Sequence, residues 1–144
     1  WAQISAELAL ERSGPERFLS TFPLLSHVAG AAGAAGDDEM LCAIGELASQ
    51  LWSLRAMSMD VARMLEAGQS TNAEAAMVKD LGTRFEGDVP ERLRAFIAPQ
   101  PTTASGDAAQ VLLAQAVLQS PGYTLRGGAN EILRGIVARD LGLR

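Results

Sequence analysis

A single cysteine, Cys42, leaves no partner for an intrachain disulfide. With it goes any sign of an oxidising compartment, so the cytoplasm is the expected location. Long apolar runs are missing too. Gly, Ser, Glu or Arg interrupts each stretch well short of the roughly 20 residues that cross a bilayer, and no basic-then-apolar leader opens the chain. Neither a membrane span nor secretion is expected. The 12 Lys and Arg residues are scattered and outnumbered by 17 Asp and Glu, giving a net charge of -5. Without a basic stripe to neutralise phosphates, nucleic acid drops out as a partner. His27 stands alone on an apolar segment with no Cys or acidic cluster at ligand spacing, so a structural role is expected and no metal site. Cys42 has no histidine arranged as a nucleophile's partner and is expected to be a small buried residue. No segment alternates with a period of two for long enough to make a strand.

What remains is helix. The 144 residues are 48% hydrophobic with 14 glycines and 6 prolines, enough for one domain with a real core. Ile4, Leu8, Phe18, Leu19, Phe22 and Leu25 recur at helical spacing, predicting one long helix to about Val28, kinked at Ser13-Gly14-Pro15. An Ala/Gly-rich loop is expected from Ala29 to Gly36, followed by capping carboxylates in Asp37-Asp38-Glu39, a solvated helix start. A long amphipathic helix then carries Met40, Leu41, Ile44, Leu47, Leu51, Leu54, Val61 and Leu65, with Gly68 as its cap. Ser70 or Thr71, with Glu74 completing a capping box, starts a third helix through Met77, Val78, Leu81 and Phe85. Gly87-Asp88-Val89-Pro90 is expected to break it, with a short helix to Ile97. Pro99-Gln100-Pro101-Thr102-Thr103 is loop chemistry, Asp107 to Leu118 is helical, and Gln119-Ser120-Pro121-Gly122 is expected to end that helix. Asn130 to Leu141 is the last helix, stopping at Gly142. The expected fold class is all-α, an antiparallel four-helix bundle with short extra helices. The chain opens at Trp1 without a methionine and enters helical patterning at once, which points to a piece of a longer protein.

The most specific stretch is Gly127-Gly128-Ala129-Asn130-Glu131, two glycines leading straight into a helix. Glycines allow close backbone approach, and a helix N-terminus offers open amides to an anion such as a diphosphate. Taken alone, a glycine pair is a weak signal and fits an ordinary helix entry equally well. The surrounding run, QSPGYTLRGGANEILRGIVARDLGLR from Gln119 to Arg144, closely resembles the C-terminal end of acyl-CoA dehydrogenases. Two further segments carry the same resemblance: Trp1 with Leu10-Glu11-Arg12 and Ser13-Gly14-Pro15-Glu16-Arg17-Phe18, and Ala75-Ala76-Met77-Val78-Lys79-Asp80-Leu81.

The resemblance implies a single C-terminal helical domain over residues 1–144, without the N-terminal helical and middle β domains of a parent subunit, so the fragment alone is expected to be inactive. It implies an FAD-dependent enzyme that desaturates an acyl-CoA thioester between its α and β carbons. A carboxylate base is carried in this family either just before the final glycine motif or in a Glu-Arg pair on the domain's first helix. The first position is Gly127 here, so the resemblance assigns the base to Glu11, with Arg12 shaping the substrate pocket or holding local structure. The Gly127 amide is expected to bond the thioester carbonyl. Gly128, Ala129, Asn130 and Glu131 are expected beside the cofactor, with Ala129 lacking the usual threonine hydroxyl.

Two family elements that serve a neighbouring subunit's flavin are missing: an Arg-x-x-Phe-Gly sequence, replaced by Ala29 to Asp38, and a Gln-x-x-Gly-Gly-x-Gly loop, shortened to Gln119-Ser120-Pro121-Gly122-Tyr123. The expected assembly is therefore an oligomer, with a hetero-oligomer containing a related subunit favoured over a homo-oligomer. The rival expectations are a non-catalytic structural subunit and a flavin oxidase or monooxygenase on the same fold. Met57, Met59 and Met64 are expected as core filling more than as an acyl channel, and Arg134 and Arg139 as partners of carbonyls or carboxylates.

Overall fold

The computed structural model describes residues 2–35, 37–97 and 100–143, and Trp1, Gly36, Pro99 and Arg144, named above, lie outside the described residues. Among the described residues there are six α-helices and no strand: α1 (Ala2–Ser13), α2 (Phe22–Ala35), α3 (Asp38–Glu66), α4 (Asn72–Leu93), α5 (Ala108–Tyr123) and α6 (Asn130–Asp140). Short 3-10 turns at Pro15–Arg17 and Arg94–Phe96 follow α1 and α4.

Helices α2 to α5 form the bundle. On α3 the fully buried positions are Leu47, Leu54 and Val61, a seven-residue repeat that keeps one seam against its neighbours. They meet Leu24, Leu25 and Val28 of α2, Val78, Phe85, Val89 and Leu93 of α4, and Leu113 and Ala116 of α5. Neighbours run antiparallel: Glu46 near the start of α3 pairs with Arg92 at the end of α4, and Lys79 early in α4 reaches Thr124 just past α5. Burying each large aliphatic side chain contributes about 1.5–3 kcal/mol. Helices α1 and α6 both pack on α4, which is why α4 is buried on most of its circumference.

That crowding makes Gly82 a contact point. A Cβ there would lie 2.6 Å from the Arg17 carbonyl oxygen and 3.3 Å from the Phe18 Cβ. The first is backbone and cannot swing aside, so Gly82→Ala should push the Pro15–Arg17 turn off α4. The expected loss is about 1–3 kcal/mol of stability, read as a lower midpoint in chemical denaturation.

Local end signals appear where expected. Asp37 accepts from the Glu39 and Met40 amides at 3.0 and 3.2 Å. Gly68 and Gly142 take left-handed φ values of 69° and 71° just past α3 and α6. In each case the three amides after the helix bond back to its last turn. Thr71 does begin α4, but its hydroxyl makes no capping bond and is buried without a partner, so the expected capping box does not form.

Elsewhere tertiary packing overrides the breakers. The first segment is two helices, not one kinked helix: Gly14 is extended, Pro15 opens a 3-10 turn, and the Ser20 amide is tied to Glu86 at 2.9 Å. The expected loop from Ala29 is instead the second half of α2, held down by Val28 and Ala32 at 4% and 1% exposure. Helix α4 runs through Gly87 and Pro90 because Val89 and Leu93 on its last turns are wholly buried, outweighing the bond that proline removes. Helix α5 likewise continues past Pro121 to Tyr123, which is buried with its hydroxyl donating to the Ala116 carbonyl at 3.4 Å. Cys42 is exposed, not buried, because it faces away from the Leu47 seam. His27 is exposed on α2. Met57 packs against the core while Met59 is exposed. No helix among the described residues is long and apolar enough to cross a membrane.

Candidate functional site

The two glycines form a turn that only glycine tolerates well, Gly127 at φ 71° and Gly128 at φ 106°. It lies between α5 and α6 and is gripped from two sides. From α1, Arg12 Nε donates to the Gly127 carbonyl at 3.0 Å, while its Nη1 reaches Asn72 Oδ1 at 3.3 Å. From α4, Lys79 Nζ donates to the Gly128 carbonyl at 2.6 Å, Asn130 Oδ1 at 2.7 Å and the Thr124 carbonyl at 3.1 Å. Lys79 is wholly buried. Its pKa is lowered first by that burial and then by Arg17, with Asp80 opposing and Arg126 and Arg12 adding. Burial also lowers the Arg12 pKa, against the pull of Glu11.

Glu11 comes to the same place. Arg17 Nη2 donates to Glu11 Oε1 and Arg17 Nε to the Glu11 carbonyl, both at 2.8 Å. A Cβ on Gly127 would lie 3.7 Å from the Arg17 Cζ and from the Arg12 Cγ. So Glu11 and Gly127, far apart in sequence, converge on one buried guanidinium. Glu11 itself is open, with 46% of its side chain exposed. A cleft of about 520 Å3 lies between α3 and α4 around Leu54, Met57 and Arg84 and does not include Glu11.

Asn130 turns inward. At 5% exposure, its amide oxygen serves Lys79 and Thr83, and its Nδ2 donates to Thr83 Oγ1 at 3.2 Å. Ala129 precedes α6 without a side-chain cap; the Ile132 amide turns back to the Ala129 carbonyl at 3.0 Å, which leaves the Asn130 and Glu131 amides open among the described residues, and Glu131 is exposed there. Behind the turn, Asp80 binds Arg84 Nη2 at 2.7 Å and Arg134 Nε at 3.2 Å, so Arg134 partners a carboxylate as expected. Arg126 pairs with Glu86, which is fully buried, and donates to Ser20 Oγ at 3.0 Å. Burial and then Glu86 raise the neighbouring Tyr123 pKa, with Arg126 opposing.

Arg17, Lys79, Thr83, Glu86 and Arg126 were not picked out from the sequence as a supporting frame. The available signal was Lys79 and Glu86, seven apart on the stripe that also carries Ala75, Val78, Gly82, Val89 and Leu93. Charges on the buried face of a helix, at helical repeat spacing, ask for partners inside.

The model of one protein family, Acyl-CoA dehydrogenase, C-terminal domain, matches residues 28–142 of the 144. The match begins after α1, so Glu11, Arg12 and Arg17 lie outside it. A comparison with curated proteins finds no match.

Proposed function

The chain belongs to the acyl-CoA dehydrogenase family as its C-terminal domain, and from that premise we propose that it serves an FAD-dependent desaturation of an acyl-CoA thioester, with Glu11 as the α-proton base. In this reading the chain is the helical domain of a longer subunit. The observation that carries it is the convergence of Glu11 and Gly127 on Arg17. Bound FAD supplies the acceptor for the β hydrogen.

The chain's own residues divide the remaining work. Arg17 holds one Glu11 oxygen, Oε1, and orients the carboxylate. The other oxygen, Oε2, has no hydrogen-bond partner among the described residues and is the one to receive the α proton. The Gly127 amide meets the thioester oxygen as negative charge develops on it. The open Asn130 and Glu131 amides at the start of α6 suit an anionic diphosphate. Because the Asn130 side chain is spent on Lys79 and Thr83, its cofactor contact falls to the backbone. Glu11 is half exposed here, so the dry surroundings that make a carboxylate an effective carbon base come from substrate and the rest of the enzyme.

The missing Arg-x-x-Phe-Gly and shortened glycine loop belong with this reading. Both would serve a neighbour's flavin, and their absence favours a hetero-oligomer in which a related subunit supplies those contacts. The test is the FAD-to-protein ratio of the full-length subunit, purified alone and then with its partner subunit, followed by anaerobic addition of acyl-CoA. Low flavin alone, about one FAD per heterodimer together, and bleaching of the visible flavin band by acyl-CoA are expected. Full flavin in the lone subunit would remove the split site. Flavin that acyl-CoA never bleaches would remove the dehydrogenase.

A second reading, a non-catalytic partner subunit, draws on the ion pair that ties Glu11 to Arg17 and gives that carboxylate a purely structural use.

A further inference from the structure

Lys79 is the most costly residue in the fold to explain by packing. It is a long cationic side chain at zero exposure, early in α4 on a buried face that also carries Ala75, Ala76, Val78, Gly82 and Thr83. An apolar side chain of similar volume would serve stability as well or better. Its partners are also unusual. All three are neutral oxygens, on Thr124, Gly128 and Asn130, so no carboxylate contacts the ammonium. The nearest acid in sequence, Asp80, is committed to Arg84 and Arg134. Three acceptors converge on one point, and an ammonium is the side chain that offers three donors from a single atom.

The three acceptors bracket the glycine turn. Thr124 and Asn130 stand at its ends and Gly128 in its middle. A trans peptide puts its N–H opposite its carbonyl. Drawing the Gly128 carbonyl inward to Lys79 therefore aims the Ala129 amide outward, where it has no partner among the described residues. On the other side Arg12 holds the Gly127 carbonyl, and the Gly128 amide closes on the Leu125 carbonyl at 3.2 Å. Two consecutive glycines at positive φ have little preference of their own, so these bonds set the shape of the turn.

We propose that Lys79 is a positioning residue: from inside the bundle it fixes the Gly127-Gly128 turn in the shape that presents the Gly127 and Ala129 amides to the ligand. The proposal rests on the functional reading above, because it takes that turn as the reacting end of the site. Lys79 touches neither substrate nor cofactor and acts through the backbone it holds.

The test is Lys79→Met, with Lys79→Gln as the variant that keeps a shorter donor, in the flavin-loaded full-length enzyme. The readouts are kcat per bound flavin, acyl-CoA KM, and hydrogen exchange of the Gly128 amide. Lys79→Met is expected to lower kcat per bound flavin about tenfold, a fraction of what losing a whole oxyanion donor costs, since the amides remain but are no longer aimed. KM should change much less, the Gly128 amide should lose protection, and Lys79→Gln should fall between. A purely structural lysine would lower the melting temperature and the yield but leave kcat per bound flavin untouched. That result would overturn the proposal, as would failure of both variants to fold. A wild-type enzyme that holds flavin but is never reduced by acyl-CoA would instead overturn the functional reading. The exchange of the Gly128 amide in Lys79→Met would then still judge the turn.

Discussion

Glu11→Gln should leave the fold and flavin content unchanged and cut turnover by roughly a thousandfold, within the range by which a positioned general base accelerates proton transfer. The substitution is nearly isosteric. The new amide oxygen can still accept from Arg17 Nη2, and the Arg17 Nε bond to the residue 11 carbonyl does not involve the side chain at all. The lost ion pair is half exposed on the Glu11 side, where such pairs contribute at most about 1 kcal/mol. A fall in kcat without a fall in melting temperature therefore isolates the base. Turnover equal to the wild type would leave the chain only a structural role. A second variant sharpens the result. Gly127→Glu, added to Glu11→Gln, puts a carboxylate on the other side of the same guanidinium, where a Cβ would meet Arg17 and Arg12 at ordinary contact distance, 3.7 Å. Its left-handed φ of 71° costs an L-residue about 1–2 kcal/mol, so partial recovery is the expected outcome. Recovery at all would show that the two positions serve one reacting atom.

Much of the fold was legible because its signals are local. Asp37, Gly68 and Gly142 end or begin helices by backbone chemistry that acts within a few residues, and they do so here. The helix interiors were legible because spacing of three and four needs only one face to be buried, as the Leu47, Leu54 and Val61 seam shows. The misplaced breaks all share one cause. Pro90, Pro121 and the Ala/Gly run after Val28 disfavour helix locally, but Val89, Leu93, Tyr123 and Ala32 are all buried, Val89 and Leu93 in a core shared with α2, α3 and α5. No local pattern contains those partners. The site divides in the same way. Glu11, Arg12 and Gly127 were named from the sequence, and the structure brings all three together. The frame was not foreseen, since a single lysine or glutamate on a helix reads as solvated until the facing elements are known.

Glu86 is another member of that frame, and its loss should be the most destabilising single change considered. Its two oxygens are fully buried and both engaged, Oε1 by the Ser20 amide at 2.9 Å and Oε2 by Arg126. Through them α4 holds the connection before α2 and the turn before α6 at once. Glu86→Ala would strand an inward-facing guanidinium and a backbone amide and leave a cavity beside them. Breaking a buried pair from one side typically costs about 3–5 kcal/mol. The lower end, about 3 kcal/mol, applies because Arg126 keeps 33% of its side chain exposed and can turn toward water. Its stacking on Tyr123, at 5.1 Å from the ring centroid, would go with it. Chemical denaturation of the protein measures this directly. Replacing both partners by leucine should cost less than the two single leucine variants added together, with a coupling of about 1–3 kcal/mol, because no charge is then left behind. Additive losses would mean that the two side chains act separately. Arg126 immediately precedes Gly127, so the same variant also bears on the site: with Glu86 gone, Lys79 and Arg12 are left to hold the glycine turn. Folded Glu86→Ala protein, saturated with flavin, should therefore lose stability far more than turnover.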